Sequence, residues 1–260
     1  PHEMHEMMQR AILPDLVKRS GRTAVIRSRV IRTWGESESG LNERLDAIIR
    51  ELDEPGDAKP TLAFLASGWE GIKVRLTASA ASVEVANDML DHWEQRVRSV
   101  IDDIVFGIDD DTMESVVLGI LADRGLTLAV AESVTGGLVT GRLTNVPGSS
   151  RVLRGGIVSY ASEVKFSLLD VTLGPVVSES AALEMARGVR KALKADVGLS
   201  LTGVAGPDEQ DGQPVGTLFV GIATREGEAA TVFRLPATRD QMRQMSVISA
   251  LDFLRRQLSF

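Results

Sequence analysis

The chain has 260 residues, 43% of them hydrophobic and 25% charged, with a net charge of −7, the composition of a globular protein with one large or two modest domains. The acidic balance disfavours a partner held mainly through phosphate backbones, which needs a basic face. With no cysteine there is no disulfide, thiolate zinc site or cysteine nucleophile, no apolar run reaches transmembrane length, and a reducing cytoplasm fits.

The chain opens at Pro1 inside helical-looking sequence, Met7 to Leu16, which points to a fragment or processed form of a longer protein. His2 and His5 have the spacing of paired metal ligands but lack a third, so no metal is expected there. Thr23 to Thr33 alternates as a strand does, Ser37 or Ser39 caps a helix through Leu52, and Pro55 to Pro60 is a turn-rich loop. Thr61–Ala66 and Ile72–Thr77 form a hairpin around Gly68-Trp-Glu-Gly71, and a helix follows from Ser82 to Ile104. The order β, α, β, β, α describes a small α+β module with helices on one face of a sheet. It ends near Gly107-Ile-Asp-Asp-Asp111, which divides the chain into residues 1–107 and 108–260.

The second module alternates strands and helices. A helix from Thr112 to Arg124 stops at Gly125, the strand Leu126–Ala131 follows, and Glu132-Ser-Val-Thr-Gly-Gly137 leads into a helix to Thr144. Gly155–Tyr160 is a short strand, Lys165 sits at a helix start, and Ser178 caps a helix to Leu193. After the strand Val197–Leu201 come the loop Gly203-Val-Ala-Gly-Pro207 and a hairpin of Gly216–Thr224 with Ala229–Leu235. The last helix is announced by Thr238-Arg-Asp-Gln241, which has capping-box spacing. This predicts a three-layer α/β/α domain with a mixed sheet.

A glycine pair between a buried strand and a helix lets the backbone approach a ligand and leaves the first helical N–H groups free for phosphate or carboxylate. The alternative is a plain turn in which Ser133 and Thr135 cap the helix. All three histidines, His2, His5 and His92, lie in the first module, so a Ser-His-Asp arrangement is ruled out within the second. Ligands of α/β sheets sit at the carboxyl ends of strands, which gathers Ser133, Tyr160, Lys165 and the Gly203–Pro207 loop as candidates for one cleft. Arg239 and Arg243 share a helix face close to a helix start.

Ala131-Glu-Ser-Val-Thr-Gly-Gly137, Val146-Pro-Gly-Ser-Ser150, Gly155–Tyr160 with Lys165, and Leu201-Thr-Gly-Val-Ala-Gly-Pro207 followed by Pro214-Val-Gly-Thr217 closely resemble, in order, the C-terminal domain of the CinA family. Characterised members of that family are nicotinamide mononucleotide deamidases (the PncC activity). The resemblance implies a metal-free, cofactor-free amidohydrolase of nicotinamide mononucleotide in pyridine-nucleotide salvage. Ser133 would be the nucleophile, Lys165 and Tyr160 the acid/base pair, and backbone N–H groups from Val134 to Gly137 the oxyanion hole. Thr135, Gly136, Gly137, Gly203 and Gly206 would position substrate, with Arg243, or Arg239 as second choice, on its phosphate. Residues 1–107 resemble the family's KH-like linker, and Pro1-His-Glu-Met4 resembles the end of a preceding molybdopterin-binding-like domain, tied in some members to ADP-ribose pyrophosphatase activity and absent here.

Two features depart from the family pattern. Val134 stands where cysteine is usual, and Asp208-Glu-Gln-Asp-Gly-Gln213 replaces a glycine-rich stretch, placing acids near an anionic ligand. These leave a second reading open: a nucleotide-binding or oligomerisation module without turnover, beside a pyrophosphatase domain that carries the main activity. The resemblance also implies a homo-oligomer. Gly35-Glu-Ser-Glu-Ser-Gly40 lacks the basic GxxG clamp of RNA-binding KH domains, so direct nucleic-acid binding is not expected, nor is a membrane partner.

Overall fold

The computed structural model describes residues 2–20, 24–66, 68–235 and 237–258, and the chain divides into two units whose boundary falls between Asp109 and Asp110. The first begins with α1 (His2–Met7), a π-helical stretch Met8–Ile12 and α2 (Leu13–Ser20), more helix than the Met7–Leu16 span predicts. Then come β1 (Val25–Thr33), α3 (Glu38–Asp53), β2 (Thr61–Ala66), β3 (Ile72–Ala80), α4 (Val83–Ile101) and β4 (Val105–Ile108). Ser37, not Ser39, caps α3 by accepting from the Gly40 N–H at 3.1 Å, and Ser82 caps α4 through Val85 at 3.3 Å. The antiparallel sheet runs β2-β3-β1-β4.

β4 is absent from the sequence reading and runs into the expected link, ending at Ile108. Four residues are too few to show alternation, and the aspartates behind them carry the stronger signal of a linker. Alternate residues of β3, Val74, Leu76 and Ala78, pack with Leu41 and Leu45 of α3 and Leu90 and Val97 of α4 into one core. Arg29 of β1 is held by Asp91 and Glu94 of α4, and Glu94 also takes Arg98. Gly40 lies within the first turn of α3, so the segment after Gly35 is a helix cap in place of a clamp loop.

The second unit contains α5 (Met113–Asp123), β5 (Leu128–Glu132), α6 (Leu138–Thr144), β6 (Leu153–Val158), α7 (Ser162–Leu168), α8 (Glu179–Ala192), β7 (Val197–Gly203), β8 (Thr217–Ala223), β9 (Glu228–Arg234) and α9 (Arg239–Leu258). Its sheet runs β6-β5-β7-β8-β9, with β6, β5 and β7 parallel and the β7-β8-β9 pairs antiparallel. α8 covers the face carrying Ala129 and Ala131. It packs so closely that a Cβ on Gly198 would lie 2.0 Å from the Ala186 carbonyl oxygen and one on Gly221 2.5 Å from that of Ala182. α5, α6 and α9 lie on the opposite face, which makes the three-layer arrangement. No helix among the described residues is long and apolar enough to cross a membrane.

The helix start after β5 already holds an anion, and it is the chain's own. Glu132 is fully buried, and its carboxylate accepts from the N–H groups of Gly137 (2.9 Å), Val139 (3.1 Å) and Thr140 (2.8 Å) and from the Thr140 hydroxyl (2.7 Å). A negative charge on the first-turn amides satisfies donors that have no intrahelical partner and complements the helix dipole. The expectation that these amides await a substrate anion is therefore corrected. Gly136 and Gly137 serve the turn instead, with φ +61° and +98°.

Glu132→Ala leaves four donors, one buried and three part-buried, without their acceptor. Unsatisfied groups of this kind cost about 1–3 kcal/mol each before relaxation, so a loss of about 3 kcal/mol is expected, read in thermal unfolding as a Tm lower by roughly 6–12 °C. A Tm within a degree or two of the parent would mean that water replaces the carboxylate.

Candidate active site

Because β5, β6 and β7 are adjacent and parallel, their carboxyl ends deliver three loops to one edge of the sheet. There Ser133, Tyr160, Lys165, Gly203, Gly206 and Arg239 line one cleft of about 180 Å³. That is below the roughly 300–1,000 Å³ of a site that engulfs a whole drug-sized ligand, and suits the reacting end of a longer molecule. Val176, Val177 and Val204 form an apolar wall. Thr202, also on the wall, donates to the Val176 carbonyl at 2.6 Å.

Ser133 is half-buried just beyond β5, its N–H bonded to the Leu201 carbonyl at 3.0 Å. Its own carbonyl accepts from the Gly136 N–H at 3.1 Å, which closes a β-turn over Val134 and Thr135. The N–H groups of the two central residues of such a turn point outward, and among the described residues neither has an acceptor. The Ser133 hydroxyl has no hydrogen-bond partner among them either. Of the amides expected to form an oxyanion hole, those of Gly136 and Gly137 are thus already engaged, leaving Val134 and Thr135. Val134 is buried against the cleft.

Lys165, on α7, is only 2% exposed, and its Nζ donates to the Ser159 carbonyl at 2.8 Å. Burial lowers its pKa below the ordinary lysine value, against the opposing pull of the Asp211 and Glu163 carboxylates. Tyr160 is 61% exposed, so its ring forms a rim of the cleft and is not a core aromatic. Its phenol oxygen accepts from Arg239 Nη2 at 2.9 Å, while Arg239 Nη1 donates to the Gly206 carbonyl at 2.6 Å. Arg239 thus ties the ends of β6 and β7 together at the cleft mouth.

Thr135, Gly136, Gly137 and Arg243 do not line the cleft. Thr135 is buried, its hydroxyl unpartnered. Arg243 donates from Nε to the Val134 carbonyl at 3.2 Å and from Nη2 to the Thr135 carbonyl at 2.8 Å. Gly203 is required by packing, since a Cβ there would sit 2.4 Å from the Thr217 carbonyl oxygen. Asp208 and Gln210 reach the cleft from the acidic loop. Asp211 is engaged elsewhere, accepting from the N–H groups of Val176 (2.7 Å) and Val177 (2.8 Å). Sequence reasoning missed the Val176–Val177 wall and the roles of Ser159 and Asp211.

Among protein families, the model of the CinA C-terminal domain matches residues 110–258, and that of the damage-inducible protein CinA KH domain matches residues 28–107. A CinA-like protein of Frankia casuarinae is 46% identical over all of this chain and 60% of its own length. A putative competence-damage inducible protein of Moorella thermoacetica is 40% identical over 99% of this chain and 62% of its own. The chain thus spans about three fifths of the length of these curated relatives. Among solved structures, a competence/damage inducible protein from Agrobacterium tumefaciens is 31% identical, with a TM-score of 0.54 over 57% of this chain and 94% of its own. A CinA superfamily protein from Klebsiella pneumoniae is 27% identical, with a TM-score of 0.55 over 56% and 96%.

A lysine whose folded-state pKa is lowered binds fewer protons folded than unfolded between the two values. Its contribution to stability therefore rises with pH through that window and is unfavourable below it. Lys165→Met should raise the Tm by a few degrees near pH 7, with the gain shrinking toward pH 10. Thermal unfolding of both proteins across that range checks this; a Tm lowered at every pH would show that the Ser159 bond outweighs the buried charge.

Proposed function

Because the chain belongs to the CinA family, we propose that its second unit hydrolyses the carboxamide of nicotinamide mononucleotide, giving nicotinate mononucleotide and ammonia. The observation that carries this reading is an unpartnered serine hydroxyl and a buried, pKa-lowered lysine lining one cleft at the ends of parallel strands. A serine hydroxyl needs a base to become a nucleophile, and with no histidine in this unit Lys165 is the base available. In its neutral form it takes the Ser133 proton as the oxygen attacks the carboxamide carbon. The positive pyridinium of the ligand favours that neutral form further.

The tetrahedral oxyanion is stabilised by the unpaired N–H of Val134, the turn residue that lines the cleft after Ser133, where one donor is worth about 3 kcal/mol. Collapse of the intermediate expels the amine, protonated by the Lys165 ammonium with Tyr160 as relay, and leaves a nicotinate ester on Ser133. Water, deprotonated by Lys165, then attacks the ester and releases the acid. The apolar valine wall suits the pyridine ring. Arg239 at the mouth keeps guanidinium donors beyond the two it uses, suited to a phosphate. It thereby replaces Arg243 as the first choice for that role.

The test is incubation with nicotinamide mononucleotide and a chelator, following ammonia and the acid product together. Turnover is expected to survive the chelator and to vanish in Ser133→Ala. Arg239→Ala should raise KM for the nucleotide roughly 10- to 100-fold, the weight of a charged hydrogen bond, and leave KM for the dephosphorylated nucleoside unchanged. Binding of the nucleotide without ammonia release would favour a ligand-binding module without turnover.

A further inference from the structure

On the serine-hydrolase reading of the cleft, we propose that Arg243 is a positioning residue for the nucleophile turn and not a ligand for substrate phosphate. The guanidinium fork meets two successive backbone carbonyls, those of Val134 at 3.2 Å and Thr135 at 2.8 Å. In a trans peptide the carbonyl of one residue and the N–H of the next point in opposite directions across one rigid plane. Holding the Val134 carbonyl toward α9 therefore turns the Thr135 N–H away from it. Holding the Thr135 carbonyl fixes the next plane, whose Gly136 N–H closes the turn onto the Ser133 carbonyl at 3.1 Å. Of the two amides left without acceptors, the clamp sets that of Thr135 directly and that of Val134, which shares a plane with the Ser133 carbonyl, through the Gly136 bond that closes the turn.

The base of the clamp is rigid. Arg243 follows Met242 and precedes Ser246 and Val247, all fully buried, so its Cα is locked into the core by α9. Gly136 lies against the guanidinium, where a Cβ would meet Nη2 at an ordinary contact distance of 3.4 Å, and its backbone conformation, φ +61°, is what favours glycine. One helical turn earlier, Arg239 faces the cleft. Two arginines on one helix face thus have separate tasks, Arg239 toward the ligand and Arg243 toward the backbone that activates it. Lysine would keep the charge of Arg243 and lose the fork, reaching one carbonyl at most.

The experiment compares the parent chain with Arg243→Lys by kcat and KM on nicotinamide mononucleotide and on its dephosphorylated nucleoside, and by amide hydrogen exchange of residues 133–137, which needs no substrate. The proposal expects kcat to fall roughly 10- to 100-fold on both substrates, the range of a weakened oxyanion donor, with KM moving less than threefold and faster exchange at Gly136, whose N–H closes the turn. A rise in KM confined to the phosphorylated substrate would make Arg243 a phosphate ligand and overturn the proposal, as would unchanged kcat or unchanged exchange. Absence of turnover in the parent chain would overturn the deamidase reading instead. Exchange alone would then decide whether Arg243 holds the turn.

Discussion

The buried carboxylate of Glu132, bonded to three backbone amides and a hydroxyl at the start of α6, is the constraint from which the rest of the second unit follows. A helix start presents unpaired donors and a positive dipole end. When such a start faces a cleft it draws ligand anions. Here the last residue of β5 turns its side chain inward and closes those donors internally, on the face of the sheet opposite α8. The chain between strand and helix is thereby pulled into a tight turn, and Ser133, the next residue, is left projecting from its edge. Anion recognition is displaced outward, to a guanidinium at the cleft mouth.

The remaining chemistry comes from groups held by opposite tendencies. Lys165 is held by a backbone carbonyl and buried, and the burial disfavours the ammonium and suits a base. Arg239 and Tyr160 stay at the surface, bonded to each other, where charge and exposure suit a long polar ligand. Asp211 fastens the acidic loop to the valine wall and so engages one of the charges that the sequence places beside an anionic substrate. Asp208 remains at the cleft.

Much of this was legible in the chain because it rests on local physics. Helices with clear caps, at Ser37, Ser82, Thr112 and Ser178, begin where side-chain oxygens can accept from amides three residues on. The strands that deliver the cleft are apolar runs ended by glycine or hydroxyl residues, and the rule that sites gather at their carboxyl ends brought Ser133, Tyr160, Lys165 and the glycine loop together. β4 was not legible, since four residues carry no period and pair only because β1 is already in place. The wall formed by Val176 and Val177 comes from a connection with no motif.

The sequence by itself determined the two-module order, the three-layer second unit and the set of residue types able to act without cysteine or histidine, because spacing, capping and elimination are properties of the chain. Tertiary structure decided which donors are already taken. Glu132, Thr135, Gly136 and Gly137 sit within one short motif, yet only folding shows that the carboxylate fills the helix start and that the turn closes on Ser133. Arg239 and Arg243 share a helix face in any helical reading. Their separation into a cleft cation and a backbone clamp depends on what lies opposite each side chain, and no spacing along one element contains that information.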